Sequence, residues 1–235
     1  MTNRPFELFD APLTDASGYV GRALCDLCNS EAEDCFSLDG ADLFTPCPKC
    51  QDLVHLNSKP PIALKCERCA FVFDGPTLPE EANCCSDCFS GGRAAVTVDT
   101  ELGMVRWEDA VDGWTHGLPG FKSEKWETSE PNKDGWTRIR VPSEFLLKLV
   151  RTPQYVAIQG ECWLFCCHQP MVFLGVWSRE RFVVESADGQ GSALLDQYLG
   201  EHVPGLWEDE LHDVTGIYVF QCQKCGGRRA NWDIA

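Results

Sequence analysis

Fifteen cysteines in 235 residues are the feature of this chain that could do chemistry. Ten of them form five Cys-x-x-Cys pairs: Cys25/Cys28, Cys47/Cys50, Cys66/Cys69, Cys85/Cys88 and Cys222/Cys225. A two-residue spacer makes a tight turn, a knuckle, that aims two sulfurs at one point. It supplies half of a tetrahedral zinc site with Zn–S of about 2.3 Å, so two knuckles close one site. A thioredoxin-type motif has the same spacing. That motif belongs to one active pair at a helix start, whereas four pairs crowd residues 25–88 here among Pro, Asp and Lys. Repetition favours a structural role. Cys35, Cys84 and Cys162 fall outside the paired spacing and read as small buried hydrophobes.

Spacing permits more than one way of joining the first four knuckles. Sequential closure leaves 18 residues between Cys28 and Cys47 and 15 between Cys69 and Cys85, both matching the zinc-ribbon template. Nesting puts Cys47, Cys50, Cys66 and Cys69 in an inner ribbon and closes Cys25/Cys28 on Cys85/Cys88 at its base; a crossed arrangement also satisfies the spacing. The fifth knuckle lies more than 130 residues beyond Cys88 and needs other partners. The cluster Cys166-Cys167-His168 offers them if the strand carrying Cys162 to Cys166 lies beside the final hairpin. Twelve ligands at four per site then give about three zinc ions.

The elements that must position these sulfurs divide the chain. We read residues 1–235 as one α+β domain, with a zinc-knuckle region over 23–90 and a mostly antiparallel body with a few short helices over 91–235. Residues 1–22 form an extended arm with Phe6, Leu8 and Phe9 available to dock. Prolines 46, 48, 60, 61, 76 and 79 break the knuckle region into metal-supported loops. Residues 94–107 are β-rich, and the stretch carrying Trp107, Trp114, Trp126 and Trp136 reads as an irregular surface insertion. Pro142 opens an amphipathic helix built on Phe145, Leu146, Leu149 and Val150, stopped at Thr152-Pro153 and packed on the sheet. Residues 155–166 and 171–177 read as strands, 192–199 as a helix, and 216–221 with 228–234 as strands joined by the last knuckle.

Composition narrows the function. Twenty Lys plus Arg face 36 Asp plus Glu, and a net charge of −16 repels a phosphate backbone, which disfavours direct nucleic-acid binding. No apolar run reaches the roughly 18 residues of a membrane span. The N-terminus has no basic segment followed by an apolar one, so a cytoplasmic location with reduced thiols is expected.

Several landmarks resemble the CbrC family of cysteine-rich bacterial proteins. They are Phe6-Glu-Leu-Phe-Asp-Ala-Pro-Leu, Cys25-Asp-Leu-Cys28, Cys85-Ser-Asp-Cys88 followed by Phe89-Ser-Gly-Gly-Arg-Ala-Ala, and Arg151-Thr-Pro-Gln-Tyr. Further on come Gln159-Gly-Glu-Cys-Trp-Leu-Phe-Cys-Cys, Phe173-Leu-Gly and Val219-Phe-Gln-Cys-Gln-Lys-Cys-Gly-Gly. Such proteins run from the first knuckle to the one matching Cys85/Cys88 without two others between, so the resemblance implies that residues 44–70 are inserted and favours nesting. It also implies a ligand a few residues after the Cys-Cys pair, where this chain has Met171, a poor zinc ligand. The fourth ligand of the third site then falls to Cys166, with His168 second.

The expected ligand set is therefore Cys25, Cys28, Cys47, Cys50, Cys66, Cys69, Cys85, Cys88, Cys166, Cys167, Cys222 and Cys225. All-thiolate sites leave no position for a catalytic water. The histidines 55, 116, 168, 202 and 212 are scattered, and the acidic run Glu208-Asp209-Glu210 before His212 reads as a solvated face. A non-catalytic zinc protein acting on another, basic protein is the expectation, with the CbrC name adding a bacterial immunity or toxin-resistance role. The alternative is a zinc enzyme or a thiol redox protein, with Cys84 as candidate nucleophile.

Overall fold

A computed structural model describes residues 4–37, 39–56, 63–79, 81–207 and 215–235. The N-terminal arm docks as its apolar residues require: Phe6, Leu8 and Phe9 are buried, and the Asp10 N–H donates to the Phe173 carbonyl at 2.8 Å. Strands β1 (Tyr19–Cys25) and β2 (Ser30–Ser37) form a hairpin whose turn is the first knuckle. Strands β3 (Asp42–Pro46) and β4 (Leu53–Leu56) flank the second, and β5 (Ala63–Lys65) and β6 (Val72–Asp74) flank the third. Strand β7 (Asn83–Cys85) returns antiparallel to β2 and feeds the one-turn helix α1 (Ser86–Cys88). After a bend at Gly92 (φ 83°), β8 (Ala94–Ala95) pairs with β3.

The tryptophan-rich stretch is more ordered than its composition suggests. It contains helix α2 (Trp107–Asp112) and the paired strands β9 (Leu118–Pro119) and β10 (Trp136–Thr137). Thr115 and Ile139 are fully buried, so the two ends of this segment cover part of the core, while residues 120–135 between β9 and β10 form the irregular, mostly exposed stretch expected. Helix α3 (Ser143–Val150) starts after Pro142 as its sequence requires. It packs chiefly against α2 rather than on a sheet.

Residues 155–164 do not form the strand their β-rich composition suggests. Only the short hairpin β11 (Phe165–Cys166) and β12 (Gln169–Pro170) is regular there. The Asp233 carboxylate accepts from the Ile158 and Gln159 N–H groups, both at 2.9 Å, and turns the chain at Gly160 (φ 117°). The segment still lies beside the final hairpin, held by side chains: Asn231 donates to the Cys162 carbonyl at 2.9 Å and Arg229 to the Phe165 carbonyl at 2.7 Å.

Strand β13 (Val172–Val176) is followed by helix α4 (Arg179–Glu185), which periodicity did not reveal, and by α5 (Ser192–Leu199). The final strands β14 (Thr215–Gln221) and β15 (Arg228–Ile234) complete the antiparallel sheet β13-β14-β15. Strand β14 is buried on both faces. Tyr218, Phe220 and Cys222 enter the main core with Phe6, Phe36, Tyr155, Trp163 and Phe173, while Ile217 and Val219 enter a second cluster under α4 and α5. A strand with two buried faces reads as a continuous apolar run, which is why Ile-Tyr-Val-Phe is legible. No helix among the described residues is long and apolar enough to cross a membrane.

Candidate metal centres

Four of the five Cys-x-x-Cys pairs adopt one backbone geometry. The N–H of the residue after the second cysteine returns to the carbonyl of the first: Asn29 to Cys25 (2.7 Å), Gln51 to Cys47 (2.9 Å), Ala70 to Cys66 (2.8 Å) and Gly226 to Cys222 (2.9 Å). Each returning residue has positive φ, at 56°, 63°, 56° and 72° respectively. Asn and Gly suit that left-handed conformation, whereas Gln51 and Ala70 hold it against their own preference at a cost of about 1–2 kcal/mol. Their sequence carries no signal for it.

The fifth pair differs. Cys85 ends a strand and caps α1, its sulfur accepting from the Cys88 N–H at 3.4 Å, so Cys85 and Cys88 are brought together by one helical turn.

Twelve sulfurs converge in three groups of four, within each of which every sulfur lies within 4.8 Å of the others. Cys25 and Cys28 meet Cys85 and Cys88; Cys47 and Cys50 meet Cys66 and Cys69; Cys166 and Cys167 meet Cys222 and Cys225. The first four pairs are therefore nested. Among the described residues no other cluster of His, Cys, Asp and Glu could hold a metal. The run Glu208-Asp209-Glu210 and His212 lie outside the described residues.

The spacing of the sulfurs fits one ion per group. A tetrahedron with metal–sulfur bonds of about 2.3 Å has edges of about 3.8 Å. The sulfurs stand at 3.9 Å for Cys28–Cys85, 3.6 Å for Cys47–Cys69, 3.5 Å for Cys50–Cys66, 3.8 Å for Cys166–Cys167 and 3.7 Å for Cys166–Cys225. All-sulfur donors suit zinc or another thiophilic ion.

The third group solves a geometric problem. Neighbouring side chains on a strand point to opposite faces, so Cys166 and Cys167 would diverge if the strand continued. The hairpin turn falls at Cys167 and His168, both left-handed (φ 52° and 66°), and swings the second sulfur round beside the first. His168 is directed elsewhere, its ring edge-on to Trp126 at 4.7 Å between centroids. Met171 is fully buried, and its carbonyl accepts from the Trp163 indole at 2.8 Å.

The electrostatics of each group single out one sulfur. The Cys84 thiol, and after it those of Cys85 and Cys28, hydrogen-bond to Cys88 and hold its pKa down to about 5 against the opposing effect of burial. At Cys47 burial raises the pKa, but the N–H groups of Cys50 and Lys49 outweigh it and bring it to about 7. The Gly227 N–H, helped by the neighbouring thiols, lowers Cys225 to about 7 as well. Burial pushes its neighbour Cys166 up to about 12. One thiolate per group can thus draw in a cation, and any sulfur still protonated releases its proton as the cation binds.

Cys35, Cys84 and Cys162 stand outside the groups. The buried Cys35 thiol donates to the Ala23 carbonyl at 3.4 Å, and that of Cys84 to the Cys85 carbonyl at 3.3 Å. Cys84 is pushed upward by its bond to Cys88 and by burial, so it remains a thiol. The described histidines are equally dispersed: His55 pairs with Asp42 (3.0 Å), His202 with Asp196 (2.9 Å), and His116 lies against Trp136.

Residues 65–234 match the Uncharacterised protein family (UPF0167), which is well over half of the chain. The matched range contains Cys66/Cys69, Cys85/Cys88, Cys166/Cys167 and Cys222/Cys225, while Cys25/Cys28 and Cys47/Cys50 precede it. No curated protein matches the chain, and no solved structure does.

Proposed function

The chain belongs to the UPF0167 family, which is uncharacterised, and from its sulfur geometry we propose a zinc protein of the CbrC-like, cysteine-rich bacterial kind that works by binding. Zinc would be held by Cys25, Cys28, Cys85 and Cys88, by Cys47, Cys50, Cys66 and Cys69, and by Cys166, Cys167, Cys222 and Cys225. It supplies cross-links there, since four thiolates fill the coordination sphere and leave no place for a reacting water. That closure is the observation that carries the reading.

The partner is a basic protein. Three Zn(Cys)4 groups would take the formal charge from −16 to about −22, and charge of one sign raises on-rate and selectivity toward the opposite sign. A nuclease-type toxin met in the cytoplasm fits that charge, which makes immunity or toxin resistance the biological role. A thiol redox role has one observation in its favour, the placing of Cys85 and Cys88 at a strand-to-helix junction. Four-way convergence of the sulfurs argues against it.

The test is direct. Elemental analysis should give about three zinc ions per chain. The immobilised protein should retain a defined basic protein at low salt and release it near molar salt, where the Debye length falls to about 3 Å. Turnover abolished by one cysteine substitution that leaves zinc content intact would replace this reading with the enzyme.

A further inference from the structure

Two segments of the sequence that supply no sulfur pack against each other: Phe89-Ser-Gly-Gly-Arg93, whose Arg93 Nη1 donates to Cys88 Sγ at 3.7 Å, and Arg151-Thr-Pro153. The contact is made by Gly92 and Arg151. A Cβ at Gly92 would fall 2.7 Å from both Cζ and Nε of Arg151, so only a glycine lets the guanidinium lie against this backbone. The Trp107 ring lies against the same guanidinium, 5.3 Å from Cζ to the ring centroid.

Arg151 is half-buried there without a counter-charge. Its Nε is shut away from water and unpartnered, and no described residue accepts a hydrogen bond from the guanidinium. Leaving Nε desolvated and unsatisfied is costly, and burial lowers the pKa of the group, while the two Nη nitrogens stay open to a ligand from outside. The guanidinium nevertheless stays charged.

Arg151 lines a cavity of about 310 Å³ together with Arg4, Lys148, Glu7 and Ser90. Lys148 pairs with Glu7 at 2.5 Å and Arg4 with Asp10 at 2.6 Å, both at the surface, where such pairs are weak. Three cations against two carboxylates leave one positive charge uncompensated, on a protein whose net charge is −16. A long-range field of that sign repels anions, so a local excess of cations facing one cavity is not explained by the rest of the surface.

We propose that this cavity binds a phosphate group. The planar fork of Arg151 matches two phosphate oxygens. Lys148 and Arg4 offer charge to a third, their carboxylate partners being free to turn to water. A carboxylate ligand would use Arg151 alone, whereas the doubly charged phosphate uses all three cations. Gly92 and Trp107 are positioning residues that fix the plane of the guanidinium. The site shares no residue with the sulfur groups and does not rest on the reading proposed from them.

The experiment titrates the zinc-loaded 235-residue protein with inorganic phosphate and, separately, with acetate at equal ionic strength, following tryptophan fluorescence and thermal midpoint. Phosphate should saturate and acetate should not. Arg151→Lys keeps the charge but loses the fork and should weaken phosphate binding about tenfold. Lys148→Gln, on the exposed face of α3, should weaken it severalfold, and zinc content should be unchanged in both. If Arg151→Lys does not fold, Lys148→Gln decides. A phosphoserine peptide and a sugar phosphate, run as further arms, distinguish a macromolecular from a small-molecule source of the group. A linear, unsaturated phosphate response in the wild type, an equal response to acetate, or unaltered affinity in the folded variants overturns the proposal.

Discussion

The nesting of the sulfur groups predicts that two chemically identical substitutions differ sharply in effect. Cys25, Cys85 and Cys88 belong to the main core cluster, in contact with the residues that pack around Phe6, Phe36 and Phe89. Cys47 and Cys66 are buried but outside that cluster, and the ribbon carrying them meets the body through the pairing of β3 with β8 and through Phe44, whose ring lies 4.3 Å from that of Trp107. Structural zinc is worth about 10–16 kcal/mol in zinc-finger peptides, against a total stability of about 5–15 kcal/mol for an ordinary domain. Cys88→Ser would remove a ligand of the zinc ion proposed to fasten β1, β2 and β7 together, and should therefore cost the body its cooperative unfolding transition at 25 °C. Cys66→Ser should also release one zinc ion, but the lost protection should be confined to residues 47–56 and 63–70. Zinc content by elemental analysis, thermal unfolding by near-ultraviolet dichroism and residue-level hydrogen exchange measure the three quantities. A Cys66→Ser protein with no body transition, or a Cys88→Ser protein with full zinc content, would refute the reasoning.

Other consequences follow from individual contacts. Asp233 is buried and accepts from Ile158 N–H, Gln159 N–H and, at 2.8 Å, the Tyr218 hydroxyl; Asp233→Ala strands the last two, while Ile158 N–H keeps the Tyr218 oxygen at 3.2 Å, and should cost about 3 kcal/mol by urea unfolding; a loss under 1 kcal/mol would contradict that role. Gly103 has φ 94° and its Cβ would run into the Gly117 carbonyl, so Gly103→Ala should destabilise by about 3 kcal/mol from strain and overpacking together, read as a fall in thermal midpoint. Burial raises the pKa of Glu161, whose Oε1 accepts from Gln154 at 2.5 Å. A carboxyl with a raised folded-state pKa destabilises the fold once pH exceeds its unfolded value, and the penalty fades as pH falls and the folded state takes up its proton. Glu161→Gln should therefore raise the thermal midpoint at neutral pH, with the gain vanishing in acid; a gain independent of pH would point to packing instead.

How much of this was legible varies with the range of the interaction involved. The knuckles were legible because a two-residue spacer is a local device whose geometry needs nothing but its own turn. Helix α3 and strands β14 and β15 were legible for a similar reason, since Pro142, the apolar positions 146, 149 and 150, and the double-sided burial of Ile217 to Phe220 leave periodic traces. The motif residues around the third group also find a physical account. Tyr155 accepts from the Cys162 N–H at 2.7 Å, while Trp163 and Phe173 stack into the main core behind the cysteine hairpin.

Where a long-range contact overrides local preference, the sequence was silent or misleading. Residues 155–164 have strand-like composition, but Asp233, over 70 positions away, captures their N–H groups and turns them. Cys85 and Cys88 share the spacing of the other knuckles, yet the pairing of β7 with β2 presents them at the start of a helix. The nested grouping, too, was only one of several that spacing allowed. The amino-acid sequence determined which sulfurs come in pairs, because that is settled within four residues. Only the tertiary structure decided which pairs share a point in space and that Arg151 comes to lie against Gly92 and Trp107 without a carboxylate, because those outcomes depend on packing among segments that are far apart along the chain.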